Sequence, residues 1–432
     1  MARNVVLYVV VHQPRRLKLP AQPIPEGASI EEIRHCLFDE AMNERYFHSI
    51  AASCYYPATA RFLQLARQGL KLSIGFSISV LRQAEQWDPP LLDHFKALVS
   101  EPNVELIGVE PYHSFLFLFD IPLFIQRMRW MRTELERIFG KRPNVTDTSE
   151  MCMSPAISAA LEQAGFAGGL IDGRHWVLDW RQPTHLYQSG ALKLLPRHPE
   201  LSDDVGYRFS NRSWSRWPLL ASSYAQWLHD AEGELAFVAW DYETFGEHQR
   251  RETGIFEFLE HLHNELHLCD VHTHTPSEII SLLEETSFHL PLPGFPSTWA
   301  GSGGMEFFLG NSVQQALFQL MLQAHGLAQL TKRPDLLDLA LWLEQSDHLH
   351  LIQWLDHSSA EADVSTYFTP HEWRDLGPAG IIHEQQQVYQ NFIHALESFL
   401  PGKLPNRNRN KKPTPKEQEL LAADAGIDAR YS

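Results

Sequence analysis

Three polar clusters stand directly behind apolar runs, and they hold the groups best able to do chemistry. His12-Gln13-Pro14 follows VVLYVVV, Glu150 follows NVTDTS, and Asp241-Tyr242-Glu243 follows LAFVAW. If those runs are parallel strands of one barrel, their carboxyl ends share a face and the clusters converge there. Two carboxylates meeting in a pocket suit glycosidic-bond chemistry. One stays ionised to attack or stabilise a cationic carbon, and the other is protonated to release the departing oxygen. Taken singly, each acid also reads as a helix cap. Among the tryptophans that could stack on a sugar ring, Trp299 lies in a glycine-rich loop and is the best placed to be exposed; most of the others read as core or edge residues. His12, His113, His248, His272 and His274 raise the alternative of a metal-dependent deacetylase, and HTH at 272–274 has the spacing of two ligands on a strand. With 23 histidines in the chain, such pairs arise by chance, and no supporting acidic motif stands nearby. No metal or cofactor is expected. There is no GxSxG elbow, SDH at 346–348 forms no nucleophilic triad, and the four cysteines form no CxxC.

The elements that must position these groups alternate. The run 5–11 is continuous and β-branched, as in a strand buried on both faces. Further strand candidates are 72–80, 104–109, 144–148, 167–171 and 235–240. Helical patterns fall between them, including 43–68, expected to break at Pro57, and 154–164, with Ser154 as N-cap, Pro155 at the first helical position and Gly165 closing it. Six strands over about 240 residues favour a (β/α) barrel. A doubly wound sheet is the alternative, but HQPRRL behind the first strand carries no glycine-rich phosphate turn. Helical candidates at 276–285, 311–330, 334–344 and 383–399 form a companion. The expected division is a barrel over 1–275, a helical domain over 276–400 carrying an active-site loop at 290–308, and a disordered tail over 401–432.

The chain has 432 residues and a net charge of −17, from 36 Lys+Arg against 53 Asp+Glu. That balance argues against a nucleic-acid binder, which needs a basic face. No apolar run is long enough to span a membrane. Sparse cysteine points to a reducing compartment, and the cytoplasm is the expectation. Oligomeric state is not encoded in these features.

The motifs resemble those of glycoside hydrolase family 57, in its α-amylase-like members. HQPRRL, GVEPYHSFL (108–116), DTSEMCMSPAISAALEQAGF (147–166), LSDDVGYRFS (201–210), DYETFGEHQRRETGIFEFL (241–259), LGNSVQQ (309–315) and QSDHL (345–349) occur in the family's order. The resemblance implies an incomplete seven-stranded (β/α) barrel followed by a helical domain, and retaining hydrolysis or transfer on α-glucans or maltooligosaccharides. It implies Glu150 as nucleophile and Asp241 as acid/base, with carboxyl groups about 5–5.5 Å apart. His12, Glu110, His113, Glu243, Trp299 and Phe308 fall at substrate-facing or supporting positions. Three positions depart from the family wording. Val109 stands where an acid is usual, Thr146 where an arginine often precedes the nucleophile motif, and Met305 where the 290–308 loop usually has an aspartate. These departures motivate a glucan-binding homologue without turnover as one alternative; a 4-α-glucanotransferase or branching activity is another.

Overall fold

The computed structural model describes residues 3–355 and 369–400; the tail expected to be disordered, 401–432, lies outside the described residues. Among the described residues ten strands form one sheet: β1 (Asn4–Val11), β2 (Leu72–Phe76), β3 (Val104–Ile107), β4 (Val145–Thr146), β5 (Gly168–Asp172), β6 (Tyr187–Ser189), β7 (Leu192–Arg197), β8 (Leu235–Asp241), β9 (His272–His274) and β10 (Phe288–His289). Side chains of β1 alternate between two cores. Val6, Tyr8 and Val10 point to one, with Leu170, Leu195, Phe237 and Ala239 from other strands. Val5, Leu7, Val9 and Val11 join the larger core formed with the helices. Both faces are covered, which is why the run is apolar throughout.

β3, β2, β1, β8, β7, β5 and β4 pair in parallel in that order. A bridge between Gly108 and Thr146 joins the two ends and closes a seven-stranded ring. Two seams are thin. The first is that bridge, where Asp147 N donates to Gly108 O at 2.7 Å, and the second is β7–β8, paired only through Arg197 and Phe237. β9 pairs with the first half of β1, while β6 and β10 extend the sheet outward from β7. The helix Pro276–Leu283 sends Ile279 and Leu283 into the barrel's interior core and packs Ile280 beside Gly168, where β5 begins. The end of the barrel where the strands start is thereby plugged.

Two elements differ from the sequence expectation for local reasons. The strand expected over 72–80 stops at Phe76, because Ser77 Oγ accepts from Val80 N and caps the helix Ile78–Trp87. The helix expected to break at Pro57 instead continues from Glu40–Ile50 through a π-helical turn, Ala51–Tyr55, into Tyr56–Arg67. Pro57 directly follows that π-helical turn, as the second residue of the last segment.

Beyond β10 the described elements are helices, chiefly Ser312–Leu330, Pro334–Leu343, Ser346–Leu355 and Gly377–Ser398. The segment 345–348 pins them to the barrel. Gln345 accepts from Arg15 N at 2.8 Å, Ser346 N donates to His113 O at 2.8 Å, and His348 Nε2 meets Arg15 O at 3.1 Å. Among the described residues no helix is long and apolar enough to cross a membrane.

Candidate active site

The turns behind β1, β3, β4 and β8 meet at the carboxyl end of the barrel. Glu150 follows β4 in left-handed backbone, φ 56°, and so does Met151, φ 52°. A side chain with a Cβ is strained there, so something must hold the turn. The 297–300 loop does so. Glu150 O accepts from Thr298 Oγ1 at 2.8 Å and from Trp299 N at 3.2 Å, and Met153 exchanges both backbone bonds with Ser297. The carboxylate is fixed as well: Trp299 Nε1 donates to Oε2 at 3.0 Å and Ser346 Oγ to Oε1 at 3.1 Å. Burial raises Glu150 to about 8, against those two hydrogen bonds and with the charges of Asp347 and Asp241 adding to the rise.

Asp241 ends β8 in extended geometry, φ −61° and ψ 141°. No hydrogen bond among the described residues reaches its carboxylate; its partners are charges. Burial raises it to about 6, opposed by Arg197 and His12. Beside it, burial raises Asp147 to about 7, and Tyr8 OH from inside the barrel donates to its Oδ2 at 3.0 Å. Gly75 leaves room for that tyrosine, since a Cβ there would stand 2.6 Å from the Tyr8 hydroxyl.

The other expected residues divide into two sets. His12 and His113 reach the cleft, their rings stacked at 4.1 Å and 17°. His12 bonds Ser77 Oγ through Nδ1 at 2.8 Å and Asp347 Oδ2 through Nε2 at 2.9 Å. His113, also left-handed at φ 57°, bonds Ser346 Oγ at 2.9 Å and lies 3.8 Å from Glu150 Oε1. Burial pushes His113 down to about 3, with His12 adding to the effect, so it is neutral. Burial alone would raise Asp347, but its interaction with His12, by charge and by hydrogen bond, outweighs it and holds that carboxylate below its usual range.

Three expected substrate-facing residues are turned inward. Glu110 is 0% exposed and accepts from Tyr112 N and Ser114 N, so it orders the turn that carries His113. Phe308 is 0% exposed and packs edge-on against Phe115. Glu243 is 4% exposed and accepts from Tyr55 OH at 2.5 Å, the tyrosine that Gln13 also reaches at 3.0 Å. Backbone donors claim Glu110, aromatic packing claims Phe308, and the Tyr55 hydroxyl claims Glu243.

His12, His113 and Asp347 bring potential ligand atoms within 4.8 Å of one another. Those atoms already have protein partners: His12 bonds Ser77 Oγ and Asp347 Oδ2 through its two ring nitrogens, and His113 Nδ1 bonds Ser346 Oγ. His272 and His274, the other spaced pair, lie on β9 at the far end of β1. Asp347, Ser346 and Arg197 were not assigned from sequence. QSDHL was visible as a motif, but only the packing of the C-terminal helices brings Asp347 to a histidine 335 positions away.

The family model for glycosyl hydrolase family 57 matches residues 6–293. A curated relative from Methanocaldococcus jannaschii, named putative alpha-amylase, is 32% identical over 383 residues, covering 84% of this chain and 80% of its own. Among solved structures, a GH57-type branching enzyme from Pyrococcus horikoshii aligns at TM-score 0.63 and 15% identity over 96% of this chain and 100% of that one. The alpha-amylase AmyC from Thermotoga maritima aligns at 0.59 and 13%, over 94% and 95%. A 4-alpha-glucanotransferase from Thermococcus litoralis aligns at 0.61 and 14% over 89% of this chain, which spans only 60% of that enzyme's length.

Proposed function

The chain belongs to glycosyl hydrolase family 57, and on that footing we propose that it is a retaining enzyme acting on α-glucans, amylase-like in its chemistry. One observation carries the reading. Glu150 and Asp241 stand on turns behind different strands at the same end of the barrel, and Trp299 Nε1 fixes the Glu150 carboxylate, which the charge of Asp241 reaches. In the first step the glycosidic carbon–oxygen bond breaks. Asp241 gives its proton to the leaving oxygen, and a Glu150 oxygen bonds the anomeric carbon. In the second step water, or a sugar hydroxyl, loses its proton to Asp241 and its oxygen displaces Glu150.

Burial raises both acids in the free protein, Glu150 to about 8 and Asp241 to about 6. Between those values the pair holds one proton, mostly on Glu150. The arrangement needed for attack is then the minority one. Positive charge developing at the anomeric carbon beside Glu150 favours its ionised form. The same order supports a second reading, in which Glu150 protonates the leaving oxygen and Asp241 attacks.

Maltooligosaccharides resolved by chain length test the activity. Shorter products are expected from hydrolysis and longer ones from transfer. An unchanged distribution with binding retained would leave a glucan-binding protein instead. An α-maltosyl fluoride, whose fluoride departs without a proton donor, separates the roles. Asp241→Asn should still release fluoride in a first-step burst but stall before hydrolysis, with azide, a nucleophile that needs no base, restoring turnover, and it should lose maltooligosaccharides; Glu150→Gln should release no fluoride and lose both. The opposite pattern would make Asp241 the nucleophile.

A further inference from the structure

Arg197 closes β7 at the thin seam of the barrel and is 4% exposed. Its Nε donates to Ala239 O of β8 at 3.2 Å, standing in for a ladder bond that the seam lacks. Nη2 donates to Asp203 at 2.6 Å, while Nη1 is buried without a hydrogen-bond partner. The guanidinium lies 5.5 Å from the centre of the Trp299 ring, and the edge of that ring carries the N–H bound to Glu150. Asp172 is its register partner on β5, a buried carboxylate that pairs with Arg174 Nε at 3.4 Å. A flat cation thus floors the indole that holds one acid and stands beside the strand end that carries the other.

We propose that Arg197 is a positioning residue for both acids, steadying Trp299 against Glu150 and balancing the negative charge that Asp241 acquires on giving up its proton. The inference rests on the roles proposed for those two acids. When Asp241 protonates the leaving oxygen it becomes an anion, while the negative charge on Glu150 disappears into the new bond. Negative charge therefore moves toward Arg197 in the first step and away from it in the second. A fixed buried cation serves that movement with no rearrangement of its own.

Other charged or titratable groups also face Asp241: His12 and Tyr8 from β1 and its turn, Asp147 and Glu150 from behind β4, Glu243 from its own turn, and Asp347 from the C-terminal helices. The test therefore changes Arg197 and its counter-charge separately and reads the pH profile of kcat/KM, which reports the free enzyme. Its acidic limb belongs to Asp241, the lower of the pair. In Arg197→Met and Arg197→Gln that limb should move up by about 1 pH unit, because the opposing cation is gone. Arg197→Lys should leave the limb in place and lower kcat/KM about tenfold, since an ammonium has no flat face for the indole. Asp203→Asn, which removes the carboxylate that Arg197 Nη2 bonds, should move the limb down, leaving Arg197 less neutralised.

A residue that merely props the seam would lower the folded fraction with both limbs unmoved. An unmoved acidic limb in the folded neutral variants overturns the inference, as does an equal shift in Arg197→Lys. If neither neutral variant folds, Asp203→Asn decides, and a limb that fails to fall overturns it. Asp241→Asn separates the two failures. Wild-type turnover there removes the proposed roles, whereas an inactive Asp241→Asn with an unmoved limb removes only Arg197.

Discussion

Glu150 follows a strand two residues long and sits in left-handed backbone, whereas Asp241 ends a strand of seven in ordinary extended geometry. Left-handed backbone costs about 1–2 kcal/mol for a residue with a side chain, and the Glu150–Met151 pair bears it twice. The bonds from Thr298, Trp299 and Ser346 must offset that, and all three donors come from beyond β10. Asp241 needs none of them: β1 holds its strand along its length, and no hydrogen bond among the described residues reaches its carboxylate. One acid is therefore placed by loops folded over the barrel, and the other by the barrel itself.

The largest effects fall on the acids themselves. Glu150→Gln and Asp241→Asn should each lower kcat on maltooligosaccharides by about a thousandfold or more, with circular dichroism unchanged. A near-wild-type rate in either variant would remove that residue from the mechanism. The next effect separates the two constructions. Trp299→Phe keeps a ring over Arg197 but deletes the N–H that fixes Glu150, and should lower kcat about 10- to 100-fold. Gly75→Ala would crowd Tyr8 beneath the Asp241 side of the cleft and should destabilise the barrel by about 1–3 kcal/mol in urea titrations. If Trp299→Phe were neutral, Glu150 would be held by its own turn and the contrast would collapse.

The same contrast explains what could be read from the sequence. Val5–Val11 and Leu235–Asp241 announce themselves through continuous β-branched or apolar composition, so the strand carrying Asp241 was legible. Thr146 and Glu150 were legible only as a polar stretch behind a short run, since nothing local marks a left-handed turn without glycine. β7 escaped notice because Lys193 and Pro196 interrupt LKLLPR, and Arg197 went with it. Glu110 and Phe308 stand near chemical motifs in sequence, yet backbone donors and aromatic packing draw both inward. Residue type and spacing located the acids; which neighbours hold them was decided by contacts across the whole chain, as for Asp347 and His12.

A smaller effect is expected in the pH dependence of the rate. A pair holding one proton between about 6 and about 8 gives a bell for kcat/KM with flanks near those values. Trp299→Phe removes a hydrogen bond that favours the ionised form of Glu150, so the basic flank should rise while the acidic flank, set by Asp241, stays. Movement of both flanks together would mean that the indole acts on the pair rather than on Glu150.

The smallest effect lies in stability. Burial raises Glu150 to about 8 in the folded chain, while an unfolded glutamate titrates near 4.3. Across that interval the folded state holds a proton that the unfolded state has released, so stability falls as pH rises. Glutamine holds no titrating proton and removes that dependence. Glu150→Gln should therefore melt at the same temperature as the wild type near pH 4 and about 2–5 °C above it at pH 8. Asp241→Asn should show a smaller gain, complete at lower pH, because the barrel and its buried cation already accommodate that charge. Equal gains for the two variants would mean that both acids sit in equally hostile surroundings, and that the loops over Glu150 add no burial of their own.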